Sequence, residues 1–345
     1  IAIPGAVLQM LLATALGFLL TQLWGWPIGA SLVLGLAISI ASTVVLLRGL
    51  MDHGLLNTFH GQVAVGWLVL EDLATVAILV LLPALLGNAG NPWQTAGLAI
   101  VNTTLFVGLM LIVGTKFMPW LLTRIAHTRS RELFILAVVA LALGTAVGAA
   151  ELFGVSLALG AFLAGVVIGE SDVSHQVAAE VLPFREIFAV LFFVSVGMLV
   201  NPVALWANVG QVMALTALIV LGKALFTLLL GLVLPASGRT MLVVAVGLSQ
   251  IGEFSFIVGQ AGLALGVLTQ AQYGLLLAGA LLSIVVNPLF FKAIPRLEHT
   301  LQRIPALWRW LQRGEPTPAS RTETMANHVV IIGYGRVGEH MVTVL

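Results

Sequence analysis

The 345-residue chain has no cysteine and few charges: 15 Lys and Arg and 14 Asp and Glu, 8% of its residues. The first absence excludes disulfide scaffolds, cysteine redox chemistry and Cys-ligated metal sites. The second excludes an ordinary soluble domain, in which about 25% of residues are charged. Basic residues are spread along the chain rather than gathered in a patch, so nucleic-acid binding is unsupported. The seven histidines, His53, His60, His127, His175, His299, His328 and His340, form no H-E-x-x-H or other ligand spacing. They read as solvated structural groups, with a pH-sensing role open for His53 or His60. No nucleophile–base set stands out, which argues against an enzyme. What the chain does have is apolar residues, 60% of the total, in long continuous runs. It is an all-α polytopic membrane protein, whose unit is a span of about 20 apolar residues crossing about 30 Å of hydrocarbon. The runs do not alternate with period two, so an outer-membrane barrel is excluded.

Turn signals divide the runs into spans at 2–24, 27–49, 62–86, 95–122, 132–150, 154–170, 183–200, 206–233, 240–265 and 272–294. The boundary at 151–153 is marked only by Glu151 and Gly154. Every second connection carries Lys or Arg, at Arg48, at Lys116 through Arg131, at Arg185 and at Arg239. Further basic residues follow the tenth span, and the intervening connections carry none. By the positive-inside rule the basic connections and the C-terminus are cytoplasmic. The chain opens on an apolar run at Ile1 without a basic n-region or cleavage site, and so reads as part of a longer protein rather than as a signal peptide. Gly144-x-x-x-Gly148 and Ala161-x-x-x-Gly165 read as helix-packing faces.

After Pro295 the composition turns polar. Residues 296–327 read as an amphipathic segment, Leu301 to Leu311, followed by a linker. The stretch from His328 to His340 then runs an apolar strand into G-x-G-x-x-G at Gly333, Gly335 and Gly338, in the strand–turn–helix context of a Rossmann-like nucleotide-binding start. These glycines would let the backbone approach a pyrophosphate at a helix N-terminus. The acidic ribose-binding residue expected about 20 residues further on falls beyond Leu345.

Ionisable groups at mid-membrane cost several kcal/mol and need a reason. Glu71 and Asp72 lie near the middle of the third span, Lys223 within the eighth and Glu253 within the ninth. Adjacent carboxylates project about 100° apart on a helix and cannot both face one small pocket. Glu71 and Asp72 could instead form a structural polar contact, and Lys223 a salt bridge that only holds helices together. Two spans carry a polar centre: the second with Ser39, Ser42 and Thr43, the ninth with Gly247-Leu-Ser249-Gln250-Ile-Gly-Glu253. Gly- and polar-interrupted spans in two parts of a chain point to the broken helices of a transporter, with packing by small residues as the alternative.

Taken in order, Ser39-Ile-Ala-Ser-Thr-Val-Val-Leu-Leu, the Glu71-Asp72 span, Gly160-Ala-Phe-Leu-Ala-Gly, Leu191-Phe-Phe-Val-Ser-Val-Gly-Met198, Gly222-Lys223 and Ser249-Gln-Ile-Gly-Glu-Phe-Ser-Phe256 resemble the monovalent cation:proton antiporter family. The closest branch is the Kef-type bacterial potassium/proton antiporters, particularly the YbaL-like group. The resemblance covers the whole chain. It implies a sodium/proton-antiporter-like fold, with two crossing discontinuous helices (27–49 and 240–265) in an inverted-repeat core, plus a scaffold through which protomers form a homodimer. It also implies three scaffold spans before Ile1, a bacterial inner-membrane location, and a C-terminal domain for NAD(H) or another adenine nucleotide, or for another cytoplasmic regulatory ligand. Carried over, Asp72 is the ion-binding aspartate and Lys223 the core lysine paired with that carboxylate region. Glu253 is the glutamate of the second crossing helix. Glu71 stands where relatives often have Asp, Asn or Gln, which leaves the proton count open.

On this reading K⁺ or Na⁺ and a proton compete for Asp72, the cation assisted by Ser42, Thr43 and backbone carbonyls, with burial and Lys223 setting the balance. No cofactor is implied in the membrane domain. The alternative is a ligand-gated potassium efflux channel with the same polar centre lining a pore. A sensor whose spans merely anchor a nucleotide domain would have no use for buried Asp72, Lys223 and Glu253.

Overall fold

A computed structural model describes residues 2–87, 92–200, 202–304 and 308; among them there is helix and no strand. The helices are α1 (Ala2–Leu23), α2 (Ile28–Ser39), α3 (Thr43–Asp52), α4 (Phe59–Leu86), α5 (Pro92–Leu109), α6 (Thr115–Ala126), α7 (Arg131–Phe153) and α8 (Leu157–Gly169). They continue with α9 (Ser174–Leu199), α10 (Pro202–Ala207), α11 (Val209–Ala217), α12 (Lys223–Leu230), α13 (Gly238–Gly247), α14 (Glu253–Ala264) and α15 (Gln270–Gln302). Wide π turns at Met110–Gly114 and Leu218–Gly222 join α5 to α6 and α11 to α12. Among the described residues eight helical stretches are long and apolar enough to cross a membrane, Ile28–Asp52 counted as one. The shorter α8 and the α13–α14 pair occupy the other two spans read from the sequence.

The span boundaries shift where helices outrun the hydrocarbon. The seventh begins at Ser174, so Arg185 lies inside α9 rather than at its start. The tenth lies in a helix that runs on without a break to Gln302, so residues 296–302 extend α15. The boundary after α7 is real. Gly154 caps it with φ +64°, a left-handed conformation open to glycine at little cost, and Ser156 caps α8 by accepting from the Leu159 N–H at 3.2 Å.

The small-residue stripes on α7 and α8 do not pack as the sequence suggests. A Cβ on Gly144, Gly148 or Gly165 would meet nothing within 4 Å, whereas one on Gly160 would lie 2.7 Å from Ala146 and Ala149. The α7–α8 seam therefore runs through Ala146, Ala149 and Gly160, one helical face away from the G-x-x-x-G spacing.

Basic connections are tied to one another across the fold. His60 Nδ1 lies 2.8 Å from Thr240 Oγ1, Arg239 pairs with Glu298 at 4.0 Å, and Arg131 with Glu180 at 2.7 Å. At the uncharged connections, Trp26, Leu199, Leu205, Gln211 and Gln270 line one cavity of about 410 Å³. The charged and uncharged connections thus gather at separate places, as the alternation of Lys and Arg along the chain requires.

Two apolar clusters flank the interrupted helices α2–α3 and α13–α14, while a third, holding Phe106, Leu122, Phe134 and Leu163, packs α5 through α8 apart from them. The interruptions meet at their unwound segments. The Gly252 N–H donates to Ile40 O at 3.1 Å, and a Cβ on Gly252 would lie 2.6 Å from Ala41 O and 2.7 Å from Ser42 Cα. These are backbone atoms, which no rotamer change can move aside. Gly252→Ala is therefore expected to cost about 1–3 kcal/mol as overpacking, read as a lower thermal midpoint in detergent. An unchanged midpoint would mean that the crossing tolerates separation.

Candidate functional site

Each interruption has a local cause. In the first, Ser39 Oγ donates back to Leu36 O at 2.7 Å, Ile40 is extended, and Ser42 is extended and caps α3 by accepting from the Val45 N–H at 3.3 Å. In the second, Ser249 Oγ donates back to Val246 O at 2.7 Å before the chain turns through Leu248 to Gly252. Unwinding frees backbone groups that must be satisfied inside the protein, because lipid offers no partner. Much of that is done by Gln250. Its Oε1 accepts from the Ser42 N–H at 2.9 Å, and its Nε2 donates to Ser42 O at 3.2 Å and Gly247 O at 3.1 Å. The side-chain amide pairs with Ser42 much as a neighbouring strand would. Ser255 Oγ bridges Ala37 O at 2.6 Å and Ile40 O at 3.2 Å.

The charges follow the polarity of the half-helices. Lys223, 2% exposed, donates through Nζ to Gln250 O at 3.0 Å and Ser39 O at 3.4 Å, on the carbonyl side of both interruptions. The carboxylates gather at the amide side. Fully buried Glu71 accepts from the Ala41 N–H at 2.9 Å through Oε2. Thr43, the first residue of α3, donates from Oγ1 to Asp72 Oδ2 at 3.1 Å. Glu253, the first residue of α14, accepts from Ser42 Oγ at 3.0 Å.

The 100° step between Glu71 and Asp72 sends them to different neighbours. Lys223 and Asp72 both act electrostatically on Glu71, and Glu253 acts on Asp72. Lys223 thus approaches the carboxylate pair from the side of Glu71, the neighbour of Asp72 in α4. Lys223 is also not a salt-bridge staple in direct contact. Among the described residues it makes no ion pair within 4.0 Å, and its short contacts are to carbonyls.

Asp72 Oδ1 and Glu71 Oε1 are buried without a hydrogen-bond partner. Around Asp72 the available ligands are oxygen atoms: its own carboxylate, Thr43 Oγ1, Ser42 Oγ and Glu253. Hard monovalent cations and protons take such ligands. Among the described residues no group of three or more His, Asp or Glu side chains could hold a metal ion.

The structure thus brings together Ser39, Ser42, Thr43, Glu71, Asp72, Lys223, Ser249, Gln250 and Glu253 on α2–α4 and α12–α14. The glycines Gly333, Gly335 and Gly338 lie outside the described residues. Sequence reasoning missed Gln9, whose Nε2 reaches Ser39 O at 3.5 Å, along with Ser255, Ser283 and Asn287. Their signal was a lone polar residue inside an apolar run, which by itself does not separate a site residue from a packing one.

Two interrupted helices crossing beside buried charges are the architecture of secondary-transporter folds. A family model described as "Sodium/hydrogen exchanger, transmembrane" matches residues 2–296, and the chain belongs to that family. YbaL of Escherichia coli (strain K12), to which cation/proton antiport is ascribed, is 45% identical over 98% of this chain and 62% of its own length. K(+) efflux antiporter 4 of Arabidopsis thaliana is 33% identical over 94% of this chain and 54% of its own. KefB of Alkalimonas amylolytica, to which K(+) efflux antiport is ascribed, is 32% identical over 93% and 49%. The chain therefore spans about half to three-fifths of the length of these relatives.

Proposed function

We propose that this chain is the exchange domain of a monovalent cation/proton antiporter, with K⁺ as the cation, in which cation and proton compete for Asp72. The observation that carries the reading is the buried, unpartnered Oδ1 of Asp72, set beside Thr43 and Glu253 where two half-helices begin. An ionised carboxylate there holds a partly dehydrated cation together with the hydroxyls of Ser42 and Thr43. A protonated one releases it. Because the site carries one or the other, moving the crossing helices between the two faces of the membrane exchanges them. Gln250, Lys223 and Ser39 hold the crossing together, Ser249 braces the second interruption, and Glu253 adds a second carboxylate to the cation's surroundings. K⁺ is preferred to Na⁺ because the Arabidopsis and Alkalimonas relatives are K(+) efflux antiporters by name.

The remaining assignments rest on the sequence. The basic connections face the cytoplasm of a bacterial inner membrane. Residues 1–295 form the exchange domain, 296–327 lead out of it, and 328–345 begin a nucleotide-binding domain. There Gly333, Gly335 and Gly338 would approach NAD(H) or another adenine nucleotide, giving cytoplasmic control of exchange. Two protomers pair through a scaffold, as the family resemblance implies.

The test is exchange by the complete protein in liposomes carrying an internal pH dye, with K⁺ and Na⁺ added separately. A K⁺-dependent pH change that a protonophore collapses is the expected result. Rapid K⁺ flux with no coupled proton movement would overturn it in favour of a channel.

A further inference from the structure

The two interruptions are served in the same way by the helices on either side of them. At the first, the preceding helix α1 supplies Gln9 to the carbonyl of Ser39, and the following helix α4 supplies Glu71 to the N–H of Ala41. At the second, the preceding helix α12 supplies Lys223 to the carbonyl of Gln250, and the following helix α15 supplies Ser283 to the N–H of Ile251 at 3.4 Å. Ser283 thus stands in the second half where Glu71 stands in the first. One turn further along the same face of α15, Asn287 donates from Nδ2 to Val246 O at 2.8 Å and to Ser249 Oγ at 3.3 Å. Ser283 is fully buried and Asn287 is 1% exposed.

Asn287 and Ser283 therefore grip the second interruption at both ends, Val246 and Ser249 on one side and Ile251 on the other. Between these points lies Gln250, whose side chain sets Ser42 and whose carbonyl receives Lys223. Among the described residues Asn287 makes no hydrogen bond to a carboxylate of the exchange site, so its effect on the cation passes through the backbone it holds.

We propose that Asn287, with Ser283, is a positioning residue for cation binding: α15 fixes the second unwound segment in the register that aligns Gln250 and Lys223 against the first. This rests on the antiport reading and adds to it a determinant of cation affinity outside the carboxylate cluster. The same face of α15 continues toward the charged connections. Phe291 lies against Gly49 of α3, and Glu298 pairs with Arg239 at 4.0 Å.

The experiment is K⁺-dependent exchange in proteoliposomes across a K⁺ series, for the wild type, Asn287→Leu, Asn287→Asp, Ser249→Ala and the Asn287→Leu/Ser249→Ala double variant. Asn287→Asp keeps the volume while replacing the donating NH₂, so it supplies the measurement where the leucine variant folds poorly. Loss of one net hydrogen bond of ordinary strength corresponds to about fivefold in an equilibrium. The K⁺ concentration for half-maximal exchange is expected to rise by about that factor in the Asn287 variants, with the maximal rate per folded protein retained. Ser249→Ala is expected to add little in the leucine background, because both act on Val246. An unchanged half-maximal concentration, with exchange lost only in proportion to folded protein, overturns the proposal and leaves Asn287 a fold residue. Absence of exchange in the wild type would instead refute the antiport reading.

Discussion

Replacing Asp72 by Asn is expected to reduce cation-driven proton movement to the level of protein-free liposomes while leaving the protein folded. The carboxamide has the shape of the carboxylate and can keep an oxygen toward Thr43 Oγ1, which now donates to Asp72 at 3.1 Å. It cannot ionise, so it neither attracts a partly dehydrated cation nor carries a proton through the cycle. Removing the charge also relieves its repulsion with Glu253, so the thermal midpoint should not fall. Coupled exchange that persists in this variant would place the competing carboxylate elsewhere, with Glu71 or Glu253 as the next to substitute. Loss of exchange together with loss of folded protein would make Asp72 a structural residue and refute the assignment.

The second large effect is expected from Lys223→Met. The ammonium has two carbonyls to satisfy, Ser39 O and Gln250 O, and an acidic neighbour in Glu71, all buried. Methionine fills a similar volume but strands all three. Leaving a buried polar group without its partner typically costs about 1–3 kcal/mol, and two carbonyls are left here, so a large drop in thermal midpoint is expected. Adding Glu71→Gln should recover part of the loss, because the uncompensated acid is then gone. That recovery separates this account from simple loss of packing: if the two changes add without recovery, Lys223 and Glu71 act independently. The pairing also explains how two adjacent acids in one helix can differ in role. Glu71 is enclosed between the Ala41 amide and Lys223, whereas Asp72 faces the ends of α3 and α14.

The polar residues that interrupt the second and ninth runs were legible in the sequence because a serine, glutamine or glycine inside continuous apolar sequence stands out. Both runs do break where those residues lie, at Ile40 to Ser42 and at Leu248 to Gly252. The split at Gly154 was legible for a similar reason. The packing stripes on α7 and α8 misled because a G-x-x-x-G spacing marks a smooth face without saying which neighbour uses it. Within this chain the close approach is made by Gly160.

Composition, run length and the alternation of basic connections were enough to determine an all-helical membrane protein with two interrupted spans and charges in its interior. They follow from the cost of placing charge and unpaired backbone in hydrocarbon, which acts on each span separately. Only the tertiary structure decided which group meets which. The rotation of α4 about its axis gives Lys223 to Glu71 and leaves Asp72 to Thr43 and Glu253, and α15 brings Asn287 and Ser283 to the second interruption. Such pairings depend on helix rotation and crossing, set jointly by residues far apart in the chain. No single span carries that information.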